Sequence, residues 1–171
     1  MLEQLVDAIA HFLENYLSPE IIVFIISMLP ILELRGGLIA AAIWGVPWKT
    51  AAAISVLGNT IPIPFIIMFI RHILDWMAKT KLFHKLAVHF IDRANQKGTE
   101  LMQKHARRVK LGLYIFVAIP LPMTGAWTGA LIAAFLGFKA RDAFLPILAG
   151  VVTAACIMLG ITYLVPAIIM R

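Results

Sequence analysis

Glu33 and Arg35 are the two residues whose types and positions could do chemistry here. They stand two positions apart in "PILELRGGLIAAA", residues 30 to 42, inside a run that is otherwise apolar. Glu33 is the only carboxylate in the interior of any long apolar stretch, and Arg35 is the only interior cation. A charge at bilayer depth costs about 3 kcal/mol on insertion scales, so an ionisable residue there marks a functional site by default. Burial and a neighbouring guanidinium pull a carboxyl's proton affinity in opposite directions, which poises Glu33 to exchange a proton. The competing assignment is a structural ion pair that pins the local fold. Pro30 before the pair and Gly36 and Gly37 after it favour function, because an interrupted helix frees backbone groups that substrate or water must satisfy. Arg35, Gly36 and Gly37 are accordingly expected to contact substrate.

A second interrupted stretch, "VAIPLPMTGAWTGALIA" at 117 to 133, holds Pro120, Pro122, Gly125 and Gly129 within ten positions. It offers no charge, only Thr124, Thr128, Trp127 and freed backbone at Gly125. Helix ends at such breaks present amides to an anion and carbonyls to a cation. Thr124 and Thr128 could equally bond back to the preceding turn. Trp127 is either a pocket wall or an interface anchor. Asn59, followed by Pro62 and Pro64, is expected to line the same cavity or to pack helices. The five histidines, His11, His72, His84, His89 and His105, fall in amphipathic or loop regions without ligand spacing, so no metal site and no cofactor are expected. Neither a nucleophile paired with a base nor a phosphate loop is present, and no enzymatic activity is expected.

These residues need elements to position them. Of 171 residues, 61% are hydrophobic and 14% charged, the composition of an integral membrane protein. Residues 2 to 17 lack a basic n-region, so they are expected to persist as an amphipathic helix rather than a cleaved signal. Four apolar stretches follow, at about 21 to 44, 50 to 70, 111 to 138 and 143 to 169. The first pair resembles the second. "GLIAAAIWGVPWKTAAAISVLGN" lies over "ALIAAFLGFKARDAFLPILAGV" with one gap, pairing Gly36 with Gly129, Gly45 with Gly137, Lys49 with Arg141, Ala51 with Ala143 and Gly58 with Gly150.

Ten of the fifteen Lys and Arg lie between Arg71 and Lys110, which places residues 73 to 110 in the cytoplasm by the positive-inside rule. Making the first and third stretches re-entrant hairpins gathers positive charge on that side better than four full spans do, and it sends the copies in from opposite faces. The expected fold is an all-α integral membrane protein with an inverted repeat. An N-terminal amphipathic helix (1–20) precedes repeat 1 (21–72: hairpin 21–44, transmembrane helix 50–72). A cytoplasmic basic amphipathic segment (73–110) leads to repeat 2 (111–171: hairpin 111–138, transmembrane helix 143–169). Within the basic segment, Leu82, Phe83, Leu86, Phe90 and Ile91 oppose Lys79, Lys81, Lys85, His89 and Arg93, a pattern for the membrane surface. The net charge of +6 follows from this topology, not from a nucleic-acid surface. Cys156 is alone and lies in an apolar run, so it forms no internal disulfide.

On "LPILELRGG" at 29 to 37 and "VAIPLPMTGAWTGALIA", each followed by its matching apolar segment, the chain resembles the small multidrug export proteins, within the DedA superfamily of small prokaryotic membrane proteins. The resemblance implies paired re-entrant hairpins, an inverted repeat, a multi-pass location in the prokaryotic inner membrane and a transport role. It matches Glu33 and Arg35 to the acidic and basic positions of the first hairpin motif. The export label implies small amphipathic or cationic molecules driven by protons. Other DedA relatives are linked to moving undecaprenyl phosphate and carry arginine in the second hairpin, where this chain has none.

The expected function is a proton-coupled secondary transporter whose two hairpins meet near the midplane, with Glu33 as the coupling carboxylate. The alternatives are a lipid-phosphate translocase and a non-transporting, lipid-organising membrane protein. The expected partners are membrane lipids, protons, a small-molecule or lipid-phosphate substrate and further copies of the chain, because four short segments make a thin wall around a pathway.

Overall fold

The computed structural model describes residues 17–79, 105, 107–121, 124–165 and 168. The amphipathic helices expected over 2 to 17 and 79 to 94, most of the basic segment and Pro122 lie outside the described residues. Within them every regular element is a helix: α1 Pro19–Met28, α2 Glu33–Ile43, α3 Trp48–Thr60, α4 Pro62–Lys79, α5 107–118, α6 Ala126–Phe135 and α7 Ala140–Leu159, which runs on into a π-helical segment, Gly160–Leu164.

Two stretches, Trp48–Ile70 and Ala140–Leu164, are long and apolar enough to cross a membrane. At about 1.5 Å per residue they reach roughly 35 Å, against a hydrocarbon core of about 30 Å. Their outer faces are oily, with Phe65, Phe69 and Leu145 each about two-thirds exposed. Such surface belongs in lipid rather than water. The first of these stretches is interrupted only at Ile61, and Pro62 opens α4 at the first helical position, where its missing amide costs nothing. By contrast α1, α2 and α6, of ten or eleven residues, extend only about 15 Å, half of a bilayer core.

The chain divides into two compact units: Met1–Asn59 with Ala155–Arg171, and Thr60–Ala154. In the first unit α1 begins as its sequence directs. Ser18 is extended and Pro19 is the first helical residue, while the Ser18 carbonyl accepts the amides of Ile21 and Ile22 at 3.0 and 3.2 Å. The helix stops at Leu29, whose ψ of 138° is the extended conformation that a following proline imposes. After a turn over Pro30 to Leu32, α2 folds back against α1.

Gly36 and Gly37 depart from expectation. They were expected to loosen the backbone, yet both lie within regular α2. Their role is closeness: a Cβ on Gly37 would collide with the Ser27 hydroxyl of α1, and one on Gly36 would come within 2.7 Å of Leu32 Cβ. The glycines that do use their conformational freedom are Gly45 and Gly137. At φ +67° and +75° they end α2 and α6, and the amides of Val46 and Phe138 then bond the Ala41 and Ala133 carbonyls, both at 2.9 Å. This is a Schellman closure, and the residues that follow the glycines, Val46 and Phe138, are apolar and buried.

Gly58 and Gly150 also correspond. A Cβ on Gly58 of α3 would sit 2.6 Å from the Phe24 carbonyl of α1 and 3.1 Å from Ser27 Cβ. In the second unit a Cβ on Gly150 of α7 would sit 2.9 Å from the Tyr114 carbonyl of α5 and 2.7 Å from Val117 Cβ. Each unit therefore has one helix laid directly on another's backbone, the close packing that small residues permit where lipid gives no hydrophobic drive.

Candidate functional site

Glu33 opens α2 with φ +50°, the one positive φ at a non-glycine residue among those described. Left-handed backbone at a residue with a Cβ costs about 1 kcal/mol or more and collects at functional sites. The carboxylate is buried, its residue 5% exposed, and Leu34 and Leu38 of the same helix are buried as well. Arg35 Nη2 lies 3.9 Å from Glu33 Oε2, an ion pair longer than a direct hydrogen bond, with the guanidinium side chain 18% exposed. The expected pair is thus present, with the acid deeper than the base.

Gly37 follows Glu33 by one turn on the buried face of α2, at a junction of three helices. Ser27 of α1 and Ser55 of α3 both point their hydroxyls at it; Ser55 Oγ is 3.1 Å from the position a Cβ would take. Ser27 Oγ donates to the Val23 carbonyl at 2.8 Å. Asn59 stands one turn beyond Ser55 on the same face of α3, and it is buried with the first unit rather than placed among the proline kinks that follow it. Neither Ser55 Oγ nor Asn59 Oδ1 has a hydrogen-bond partner. The first unit therefore gathers Glu33, Arg35, Gly36, Gly37 and Asn59, and it adds two residues that the sequence reading missed, Ser27 and Ser55. Their signal was available: hydroxyls in apolar runs, with Ser55 one helical turn before Asn59.

The second unit gathers the remaining candidates. Pro120 follows the end of α5, and the chain re-enters helix at Ala126 after a buried, extended Gly125. Thr124 Oγ1 bonds the carbonyls of Ile119 and Leu121 at 2.8 and 2.9 Å, so its hydroxyl closes the break. Thr128 is half-buried on α6. α4 and α6 pack together, and Trp127 lies with Phe65, Ile66, Met68, Phe69 and His72 along a shallow apolar groove of about 500 Å³ that opens onto the oily outer face of α4. His72 is committed to the Met68 carbonyl, 2.9 Å from Nδ1. Among the described residues no group of three His, Cys, Asp or Glu could hold a metal. Cys156 is exposed, and with Trp48, Leu159, Gly160, Tyr163 and Leu164 it lines a cavity of about 460 Å³ in the first unit.

The described residues thus hold a buried acid at a strained helix start, two apolar stretches long enough to cross a membrane and an open apolar groove. No curated protein and no solved structure matches the chain significantly. Residues 33–157, from the buried carboxylate into the last turn of α7, match the family described as "Putative small multi-drug export protein". The chain belongs to that export family.

Proposed function

We propose that the chain is a membrane secondary transporter of small amphipathic molecules, coupled to protons through Glu33. The observation that carries this reading is the Glu33 carboxylate itself, buried at the break between two half-bilayer helices and held in left-handed backbone. Both features are costs of the kind that collect at functional sites. The back-folded α1 and α2, each about 15 Å long, support residues 21–44 as a re-entrant hairpin. The paired glycine closures at Gly45 and Gly137 and the paired crossings at Gly58 and Gly150 support two copies of one unit. The groove beside Trp127 is the proposed substrate contact, and its aromatic and methionine lining favours a flat, apolar-bodied molecule.

The test is flux of a fluorescent amphipathic cation, driven by a pH gradient in proteoliposomes. Glu33→Gln keeps the shape and removes the titratable group, so it abolishes gradient-driven flux while expression and melting stay near wild type. Unchanged flux in that variant rejects the coupling role.

A further inference from the structure

We infer that Ser55 and Asn59 hold an internal water molecule in the first unit, through which Glu33 exchanges its proton; the second half of this statement rests on the coupling role proposed above. Ser55 is fully buried and Asn59 is 2% exposed, yet Ser55 Oγ and Asn59 Oδ1 have no partner within the chain. Buried polar atoms left unpaired are costly, and ordered water is the usual remedy where two or more of them converge. The two residues are one turn apart on the same face of α3, and the longer Asn59 side chain can turn back along the helix to bring its oxygen and the Ser55 hydroxyl within reach of one water.

The repeated architecture provides an internal control. The register that pairs Gly58 with Gly150 sets Ser55 against Ile147 and Asn59 against Val151, both buried and apolar. At the crossing itself, Val117 occupies beside Gly150 the place that Ser27 occupies beside Gly58. The second unit is apolar at the two matching positions, and its own polar contact across the crossing, Tyr114 Oη with Thr153 Oγ1 at 3.1 Å, is paired within the chain, so packing does not demand unpaired polar atoms at these positions. What distinguishes the first unit is Glu33, one turn from Gly37 on the face that meets Ser55. A carboxyl this deep needs a route for its proton: the water takes it on an oxygen lone pair and passes one of its own protons on to bulk water.

The experiment uses the full chain in lipid nanodiscs. A map at a resolution that shows other buried waters is expected to show one within hydrogen-bond reach of both Ser55 and Asn59; a dry site there overturns the inference. The double variant S55A/N59L keeps the shape and removes both acceptors. It is expected to melt at or above wild type, to lose the water, and to slow deuterium exchange of the Glu33 carboxyl by about tenfold or more, as loss of a relay requires. Exchange is followed by the infrared carboxyl band that E33Q removes. Exchange at the wild-type rate in S55A/N59L overturns the relay, and the map alone still decides the water if the variant misfolds. A wild-type spectrum with no band sensitive to E33Q defeats the coupling role of Glu33 instead, which separates the two failures.

Discussion

Gly58→Ala is the sharpest mechanical test of the first unit. The added methyl would stand 2.6 Å from the Phe24 carbonyl oxygen and 3.1 Å from Ser27 Cβ, where ordinary contacts begin near 3.4 Å. The first obstacle is backbone, so α1 and α3 must part by most of an ångström, and overpacking of this kind costs about 1–3 kcal/mol. Alanine returns up to about 1 kcal/mol of helix propensity, leaving a net loss of about 1–2 kcal/mol. Gly112→Ala is the matched control: it lies in α5 with nothing within 4 Å of the new methyl, so only the propensity gain applies. Thermal unfolding in detergent, followed by intrinsic tryptophan fluorescence, should therefore move in opposite directions, with G58A melting a few degrees below wild type and G112A above it. If G58A melts with or above G112A, the helix crossing is not the close contact described, and the account of the first unit's packing fails.

Gly45→Ala and Gly137→Ala each force a Cβ into left-handed backbone and should each cost about 1 kcal/mol of stability by chemical denaturation. Tyr163→Phe removes the 3.0 Å bond from the hydroxyl to the Val46 carbonyl; a loss of about 1 kcal/mol is expected, and an unchanged midpoint would show the bond to be dispensable. Lys110→Ala breaks a 3.7 Å ion pair with Asp142 that is partly open to solvent, so it should change stability by less than about 0.5 kcal/mol and leave no salt dependence behind. Trp127→Ala should weaken binding of an aromatic amphipathic probe, measured by fluorescence titration, without lowering the melting point by more than the loss of a half-buried side chain explains.

The helix starts and stops were legible where covalent geometry dictates them. Ser18–Pro19 begins α1, Leu29 before Pro30 ends it, and the matched Gly45 and Gly137 close their helices, each because φ or ψ is restricted by the residue present. The internal match of the two halves also pointed to positions that share a mechanical task. Gly36 and Gly37 were harder: glycine serves both unusual φ and close approach, and only the neighbouring helix shows which one is in use. Asn59 read as part of a proline-broken segment because its successors are Pro62 and Pro64, but a proline at the first helical position restarts a helix without disturbing what precedes it. Ser27 and Ser55 escaped notice because hydroxyls in apolar helices usually bond their own backbone, as Ser27 does and Ser55 does not. The Trp127 groove depends on which faces of α4 and α6 meet, and that is a tertiary fact.

The wide-wound turn Gly160–Leu164 carries a consequence for how this gene can vary. Five-residue ladder spacing accommodates one more residue than an α-turn would, and Tyr163 reaches the Val46 carbonyl from within it. Deleting one residue here would remove the extra residue that the wide turn absorbs and let the peptide rewind as ordinary α-helix, swinging the phenol off its anchor. Swaps among oily side chains leave that count intact. Natural variation in this stretch should accordingly be rich in exchanges of identity and nearly devoid of changes in length.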